Sequence, residues 1–202
     1  MSIWSNSDRV SWAQSIALYA WVAAGAYVAA SALFTNRIKS REPIRNRLLD
    51  RTLLWGGYVL MFSQLFSPRP FLGPLQLNFL PLRKPLEIAG IVLAWLGASL
   101  VIWSRACLGR YWSGVVALKR DHRLIQSGPY RLVRHPLYTE LILAAFGWCL
   151  CLTTWSNLLG ALLFVACFER RAHKEDALLA SEFGAEFEAY RRRTGRLIPR
   201  LS

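Results

Sequence analysis

The sequence predicts an all-α, polytopic integral membrane protein with about five transmembrane helices, and the way charge is distributed predicts it. Of 202 residues, 54% are hydrophobic, yet the formal net charge is +13. The two kinds of residue are not intermixed. Uncharged runs cover Val10–Asn36, Thr52–Pro68, Ile88–Ser104 and Leu141–Phe168, with basic residues clustered between them. The length suits one domain. A high isoelectric point also fits nucleic-acid binding, but a nucleic-acid surface has no use for uncharged runs this long. Nucleic acid is therefore not expected as a partner, and the lipid bilayer is.

Taken in order, Val10–Asn36 holds 27 uncharged residues, more than the roughly 20 needed to cross a bilayer. Asp8 and Arg9 precede it and no small-residue cleavage site follows, so it reads as a span and not as a cleaved signal. Six basic residues fill the link Arg37–Arg51. The second span, Thr52–Pro68, has 17 residues and suffices if its ends sit in the interface. Pro68, Pro70, Pro74, Pro81 and Pro85, with Gly73, exclude long regular structure from the next link. A third span runs from about Leu86 to Ser104. Residues 1–104 thus form three N-terminal spans, and 105–202 form a second half of the same membrane domain. The polar segment Arg105–Arg134 is too long for an idle loop and is expected to be functional. Thr153–Asn157 interrupts the fourth uncharged run, which favours a hairpin of two helices beginning near Pro136. The second arm, from about Trp155 to Glu182, would be roughly 42 Å long at 1.5 Å per residue. It outreaches the hydrocarbon core of about 30 Å and projects into water. Helix is expected to continue to Ala189, with a break at Gly184.

Basic residues set the orientation. The link 37–51, the segment 105–134 and the tail 170–200 hold 21 of the 25 Lys and Arg, and the other flanks hold Arg9, Arg69, Arg83 and Lys84. Five spans with the N-terminus outside put all three rich segments in the cytoplasm, by the positive-inside rule. Cys107, Cys149, Cys151 and Cys167 lack metal-site spacing and read as small hydrophobes. No metal is expected.

The segment Ser127-Gly-Pro-Tyr-Arg-Leu-Val-Arg-His-Pro-Leu-Tyr138 stands at the mouth of the fourth run and combines basic, aromatic and rigid residues. Pro136 suits the first turn of a helix and biases His135 toward an extended backbone. The imidazole is then held at a helix start, not buried in a helix face. On the same side stand Arg105, Gly109, Arg110, Trp112 and His122, and then Glu169, His173, Glu175 and Asp176 on the projecting helix. Arg191–Arg193 alone would read as an anchor to anionic lipid.

These residues resemble a known family. The stretch Leu124–Tyr138 is similar to the signature of the isoprenylcysteine carboxyl methyltransferase family. So is Glu175-Asp-x-x-Leu-x-x-x-Phe-Gly-x-x-Phe-x-x-Tyr190, which ends near Leu197-Ile-Pro199. The match covers about residues 105–200. The resemblance implies a membrane methyltransferase using S-adenosylmethionine, its cofactor site formed on the cytoplasmic face by the C-terminal half. It implies cofactor-binding roles for Tyr130, Arg134, His135, Pro136, Tyr138 and Glu175. It places Arg193 and Tyr190 by a lipophilic acceptor, a prenylcysteine-like carboxylate in the namesake case. Asp176 stands for a second glutamate, Phe187 for a tyrosine and Thr194-Gly195 for a Val-Pro step. Glu140 stands for a glycine, putting an extra carboxylate near the cofactor that would alter acceptor choice.

The residue chemistry agrees with that implication. A sulfonium methyl donor is already activated, so transfer needs alignment above all. A carboxylate acceptor is ionised at neutral pH and an arginine can hold it. No Gly-x-Gly-x-x-Gly turn and no strand–helix alternation are present, which excludes a soluble Rossmann methyltransferase. The competing class is a membrane reductase using a nicotinamide cofactor, which needs a longer set of arginines for a 2′-phosphate. A non-catalytic scaffold has no use for a rigid His-Pro turn. The compact, arginine-rich chain looks bacterial, an inner-membrane protein, where prenylated proteins are not expected. A small lipophilic carboxylate, thiol or amine is then equally open as acceptor.

Overall fold

The computed structural model describes residues 12–41, 44–66, 72–119 and 123–200. Asp8, Arg9, Pro68, Arg69, Pro70 and His122 lie outside the described residues. Within them the α-helices are α1 Trp12–Ala32, α2 Ile44–Phe66, α3 Lys84–Leu108, α4 Pro136–Leu152, α5 Trp155–Phe183 and α6 Ala185–Arg193. Among the described residues, α1 and the stretch from Lys84 to Tyr111 are long and apolar enough to cross a membrane by length and composition. The apolar α4 is shorter, at 17 residues. The long helices α2 and α5 carry charge at one end each.

Helix boundaries do not coincide with charge boundaries. α2 starts at Ile44, well before Thr52, because Arg, Leu and Asp in the basic link tolerate helix and only their charge sets them apart. The hairpin turns within the Thr153–Asn157 interruption. Thr153 adopts the left-handed conformation (φ 51°), and Thr154 Oγ1 caps α5 by accepting from Asn157 N at 3.4 Å. The proline-rich link folds under this turn: Asn78 Nδ2 donates to Leu152 O at 3.1 Å and to Thr153 Oγ1 at 2.9 Å. Gly184, at φ +50°, separates α5 from α6.

The all-α expectation needs one amendment. β1 (Ile38–Arg41) pairs antiparallel with β2 (Ala117–Lys119). Both strands are very short and lie in charged segments without apolar alternation, so no periodicity announced them. They tie the first basic link to the segment 105–134, assisted by Asn36 N to Arg110 O at 2.8 Å and Arg105 Nη2 to Ser31 O at 2.7 Å. The two basic segments therefore share one end of the bundle.

Small residues hold the helices together. They let neighbouring backbones approach closely. A Cβ on Gly97 would meet Ala144 N and Glu140 O at 2.7 Å, and one on Gly90 would meet Gly147 O at 2.7 Å. Gly147 returns the contact against Ala94. The same device joins α2 to α5, where Gly160 faces Gly57 O at 2.8 Å. On α1, Ala13, Ala17, Ala20 and Ala24 are buried in one stripe. Trp21, Tyr58, Phe62, Trp148 and Phe164 fill the middle of the bundle, and Trp148 Nε1 donates to Met61 O at 2.8 Å.

Gly147→Val should therefore separate α3 from α4, costing at least the roughly 1–3 kcal/mol typical of overpacking. Gly25→Ala, whose Cβ meets nothing within 4 Å, should cost less than about 1 kcal/mol. Thermal unfolding in detergent reads both; equal losses would show that the glycine contact does not hold the pair.

Candidate active site

The site is assembled from the loop before α4, the projecting half of α5, and the chain after α6. Ser127–Arg131 turns tightly, with Gly128 at φ +58°, where a Cβ would also strike Cys107 Sγ at 2.7 Å. Pro129 opens a 3₁₀ turn that buries Tyr130. His135 then caps α4, with Pro136 in its first turn. The backbone of His135 (φ −124°, ψ 59°) stops short of the extended value, and its ring is 6% exposed. The imidazole is thus held at the helix start, as expected, and its two carboxylate partners on α5 bury it there.

Those partners come from consecutive residues. His135 Nε2 lies 2.7 Å from Asp176 Oδ1, and Nδ1 lies 3.4 Å from Glu175 Oε2. Tyr138 stacks on the ring, centroids 5.6 Å apart, and its hydroxyl donates to Glu175 Oε2 at 2.9 Å. Asp176 also accepts from Arg134 Nε at 3.3 Å and Nη2 at 3.2 Å, a bidentate pair, and from Arg196 Nε at 3.2 Å. Arg196 reaches on to Glu169 and His173, each at 2.6 Å. Arg134 Nη1 donates to Thr194 O at 2.5 Å and Arg191 O at 3.2 Å. The chain after α6 is laced to the loop before α4: Arg134 N donates to Gly195 O, His135 N to Arg196 O, and Thr139 Oγ1 to Leu197 O.

Charge in this cluster balances only with a protonated imidazole: Arg134, His135 and Arg196 face Asp176, Glu175 and Glu169. Burial alone would lower the His135 pKa, but the hydrogen bonds to Asp176 and Glu175 outweigh it and push it up to about 9. Burial likewise opposes ionisation of Asp176 and Glu175, and the His135 contacts hold both below the usual carboxylate range.

A cleft opens beside the cluster. Of the residues singled out on sequence, Tyr130, Arg134, His135, Tyr138, Glu175 and Tyr190 line it, with Trp112 on the opposite wall. Pro136 is buried but does not line it. Among the described residues, Glu175 is the only carboxylate in the lining. Tyr190 donates its hydroxyl to Tyr130 O at 2.7 Å, and burial pushes up the pKa of both phenols. Arg193 is exposed, bonds Gln126 Oε1 and sits 5.9 Å from the Tyr190 ring, lining neither this cleft nor the apolar cavity below it. Glu140 is not in the cleft either. It faces α3, where Ser104 Oγ donates to its Oε1 at 2.6 Å, so it adds no carboxylate to the cleft lining.

The apolar cavity holds about 420 Å³ between α1, α2, α4 and α5. It shares Trp112, Ser113, Leu137 and Tyr138 with the cleft, and Arg171 lines it. Arg171 Nη2 donates to Gly114 O at 2.6 Å, while its Nε is buried without a hydrogen-bond partner. Sequence reading missed Arg171, Arg196 and the anchoring role of Asp176. Arg171 stands one helical turn before Glu175, the spacing that puts two side chains on one face.

The sign of the pH dependence follows from these shifts. With a folded pKa above its unfolded value, His135 contributes stability fully below about pH 6.5 that is lost as pH rises through about 9. The difference corresponds to roughly 3 kcal/mol. The lowered carboxylates contribute above their unfolded values, and that part is lost only as pH falls below the usual carboxylate range. The unfolding midpoint should be flat below about pH 6.5, fall between about pH 6.5 and 9 and level off above that, with the His135 ring resonances titrating near 9. Asp176→Asn should cost roughly 3–5 kcal/mol at pH 7, by stranding buried cations. A His135 resonance that titrates near 6.5 would contradict this assignment.

Residues 90–181 match the model of the isoprenylcysteine carboxyl methyltransferase (ICMT) family. The chain is 38% identical over 94 residues to a protein-S-isoprenylcysteine O-methyltransferase of Schizosaccharomyces pombe, covering 45% of this chain and 40% of that one. It is 38% identical over 116 residues to the cobalt-zinc-cadmium resistance protein CzcN of Cupriavidus metallidurans, covering 55% and 50%. It is 40% identical over 72 residues to methanethiol S-methyltransferase 2 of Bradyrhizobium diazoefficiens, covering 36% and 27%. The chain spans about half or less of the length of these curated relatives. The paired motifs, the matched segment and these relatives together support the isoprenylcysteine carboxyl methyltransferase family for residues 90–181.

Proposed function

We propose that this protein is a membrane-embedded methyltransferase that moves a methyl group from S-adenosylmethionine to an anionic lipophilic acceptor, such as a prenylcysteine-like carboxylate. The observation that carries this reading is the shared wall: a polar cleft lined by Glu175 abuts an apolar cavity lined by Arg171, across Trp112, Ser113, Leu137 and Tyr138. A charged cofactor and a greasy acceptor need two such compartments in contact.

The residues of the cleft fit the cofactor chemically. S-adenosylmethionine supplies a methyl already activated on a sulfonium. Glu175 spends Oε2 on Tyr138 and His135, which leaves Oε1 to accept from an ammonium or a ribose hydroxyl. Tyr111, Trp112, Tyr130 and Tyr138 offer aromatic surface to a cation. Arg134 is consumed by Asp176 and backbone carbonyls, so in this reading it positions His135 and the chain after α6. Tyr190 similarly holds Tyr130. The acceptor guanidinium is that of Arg171, whose fork matches a planar carboxylate. Leu137 and Trp112 keep water from the transfer. Among the described residues no group of three His, Cys, Asp or Glu is placed to hold a metal ion, so the name of the metal-resistance relative does not alter this reading.

Glu175→Ala should weaken S-adenosylhomocysteine binding ten- to hundredfold, the roughly 1.5–3 kcal/mol of a charge-assisted hydrogen bond. Arg171→Lys should keep that affinity and lose most turnover with a working acceptor, while Arg193→Lys stays near the parent. Detergent-purified protein that binds NADPH and not S-adenosylhomocysteine would overturn the methyltransferase reading in favour of a reductase. The reverse pattern between the two arginines would return the acceptor to Arg193.

The reading includes five spans, α1 to α5, with the N-terminus outside and the cleft facing the cytoplasm. It rests on the 21 of 25 basic residues in three segments. In a Cys107→Ser background, Ser40→Cys and Gln76→Cys should label from opposite sides of the membrane. Labelling of both from one side sinks this topology.

A further inference from the structure

A second cavity, of about 190 Å³, lies at the basic end between α2, α5 and the loop at 114–116. Arg47, Arg51 and Trp55 line it from α2, Arg171 from α5, and Val115 from the loop. Asp50 also lines it and is ion-paired, with Lys174 Nζ 2.9 Å from Oδ2 and Arg170 Nε 3.5 Å from Oδ1, although Oδ1 itself makes no hydrogen bond. Five cationic side chains thus surround one paired carboxylate. Both Arg47 and Arg171 have a buried Nε without a hydrogen-bond partner. A buried donor left unmade is costly, and two of them in one cavity mark the place of a missing acceptor.

We propose that this cavity binds a phosphate group at the membrane surface, held by Arg47, Arg51 and Arg171. Charge and shape select the ligand: guanidinium forks bind tetrahedral oxyanions through paired hydrogen bonds. Position agrees. The uncharged run of α2 begins at Thr52, directly after Arg51, and that of α5 ends at Phe168, just before Arg170. The Asp50 contacts lock these two boundaries at one level, so the cavity sits where lipid phosphates lie. Trp55, 65% exposed, and Leu54 extend an apolar face from it along α2. The cavity shares Leu54, Gly114 and Arg171 with the apolar cavity, so its occupant lies beside the acceptor and competes for the free side of Arg171. The inference does not require the methyltransferase reading: of its three arginines only Arg171 also lines the apolar cavity, and Arg47 and Arg51 line neither that cavity nor the cleft.

The test uses the full chain in uncharged detergent and follows the thermal midpoint while titrating dioctanoyl phosphatidylglycerol, dioctanoylglycerol or inorganic phosphate. Phosphatidylglycerol should raise the midpoint saturably and dioctanoylglycerol, which lacks the phosphate, should not. Arg47→Gln/Arg51→Gln should weaken the titration at least tenfold, whereas Arg191→Gln/Arg192→Gln, a basic pair elsewhere on the same side, should leave it within twofold. If inorganic phosphate competes at millimolar concentration, the phosphate group alone suffices; if it does not, the ligand is a lipid headgroup. A native far-UV spectrum guards the double variant, and the single Arg51→Gln replaces it should folding fail. Equal titration of the double variant and the parent, or an equal loss in the Arg191/Arg192 control, overturns the site. Loss of S-adenosylhomocysteine binding would sink the methyltransferase reading without touching this result.

Discussion

Asp176 accepts hydrogen bonds from three cationic side chains, and the geometry of the site depends on that one carboxylate. Arg134 and His135 reach it from the loop before α4, and Arg196 from the chain after α6. These segments are some 60 residues apart in sequence and have little apolar surface with which to hold each other. Burying the ions costs several kcal/mol each, so the cluster is poor evidence of net stability. What it supplies is registration. Its hydrogen bonds admit one arrangement, in which His135 stands beside Glu175 and Tyr138 stacks on the imidazole. Without Asp176, the same cations would face one another across the interface between loop and helix.

The cluster can do this because the helices beneath it are set at fixed distances. Glycine–glycine and glycine–alanine contacts between α3 and α4, and between α2 and α5, hold each pair at backbone separation. By contrast, α1 and α2 meet across the apolar cavity through Trp21, Val28, Tyr58 and Phe62. Close packing at two pairs and a gap at the third follow from where the sequence puts its small residues. The cavity is therefore a property of the fold and not a local defect, and its polar end falls at Trp112 and Tyr138, next to the ion cluster.

Much of this was legible in the sequence, for physical reasons that can be named. Charge segregation marked the helical regions, though not their ends, since α2 continues through Arg45, Arg47 and Arg51 into the basic link. The Thr153 turn and the Gly184 break announced themselves because each needs an unusual backbone or cap. The motif around His135 was visible as chemistry, but its burial was not, because the sequence does not show that Asp176 turns inward to meet it. Arg193 drew attention through its spacing from Tyr190, while Arg171, inside a run of charges on α5, did not. Which arginine of a basic cluster turns inward depends on packing against α2 and the loop at 114–116, and a one-dimensional pattern does not carry that. The strand pair was illegible for the same reason: its pairing is set by two helices meeting, not by the strands themselves.

On the proposed reading, Arg171 also narrows the acceptor. Its cavity is otherwise apolar, and a guanidinium there with a buried, unbonded Nε is costly until an acceptor group arrives. A neutral amine brings no charge and no second lone pair, so it would leave that N–H unmade. A thiolate brings charge but a single soft atom, which engages one arm of the fork. A carboxylate brings two oxygens in the plane and spacing of the guanidinium, satisfies Nε and one Nη together, and is ionised at neutral pH without a base. Among the described residues no histidine or carboxylate lines the apolar cavity, which suits a carboxylate acceptor, since an amine or thiol has a proton to lose and a carboxylate has none. The acceptor class favoured by this physical chemistry is therefore a lipophilic carboxylate, whatever chain carries it.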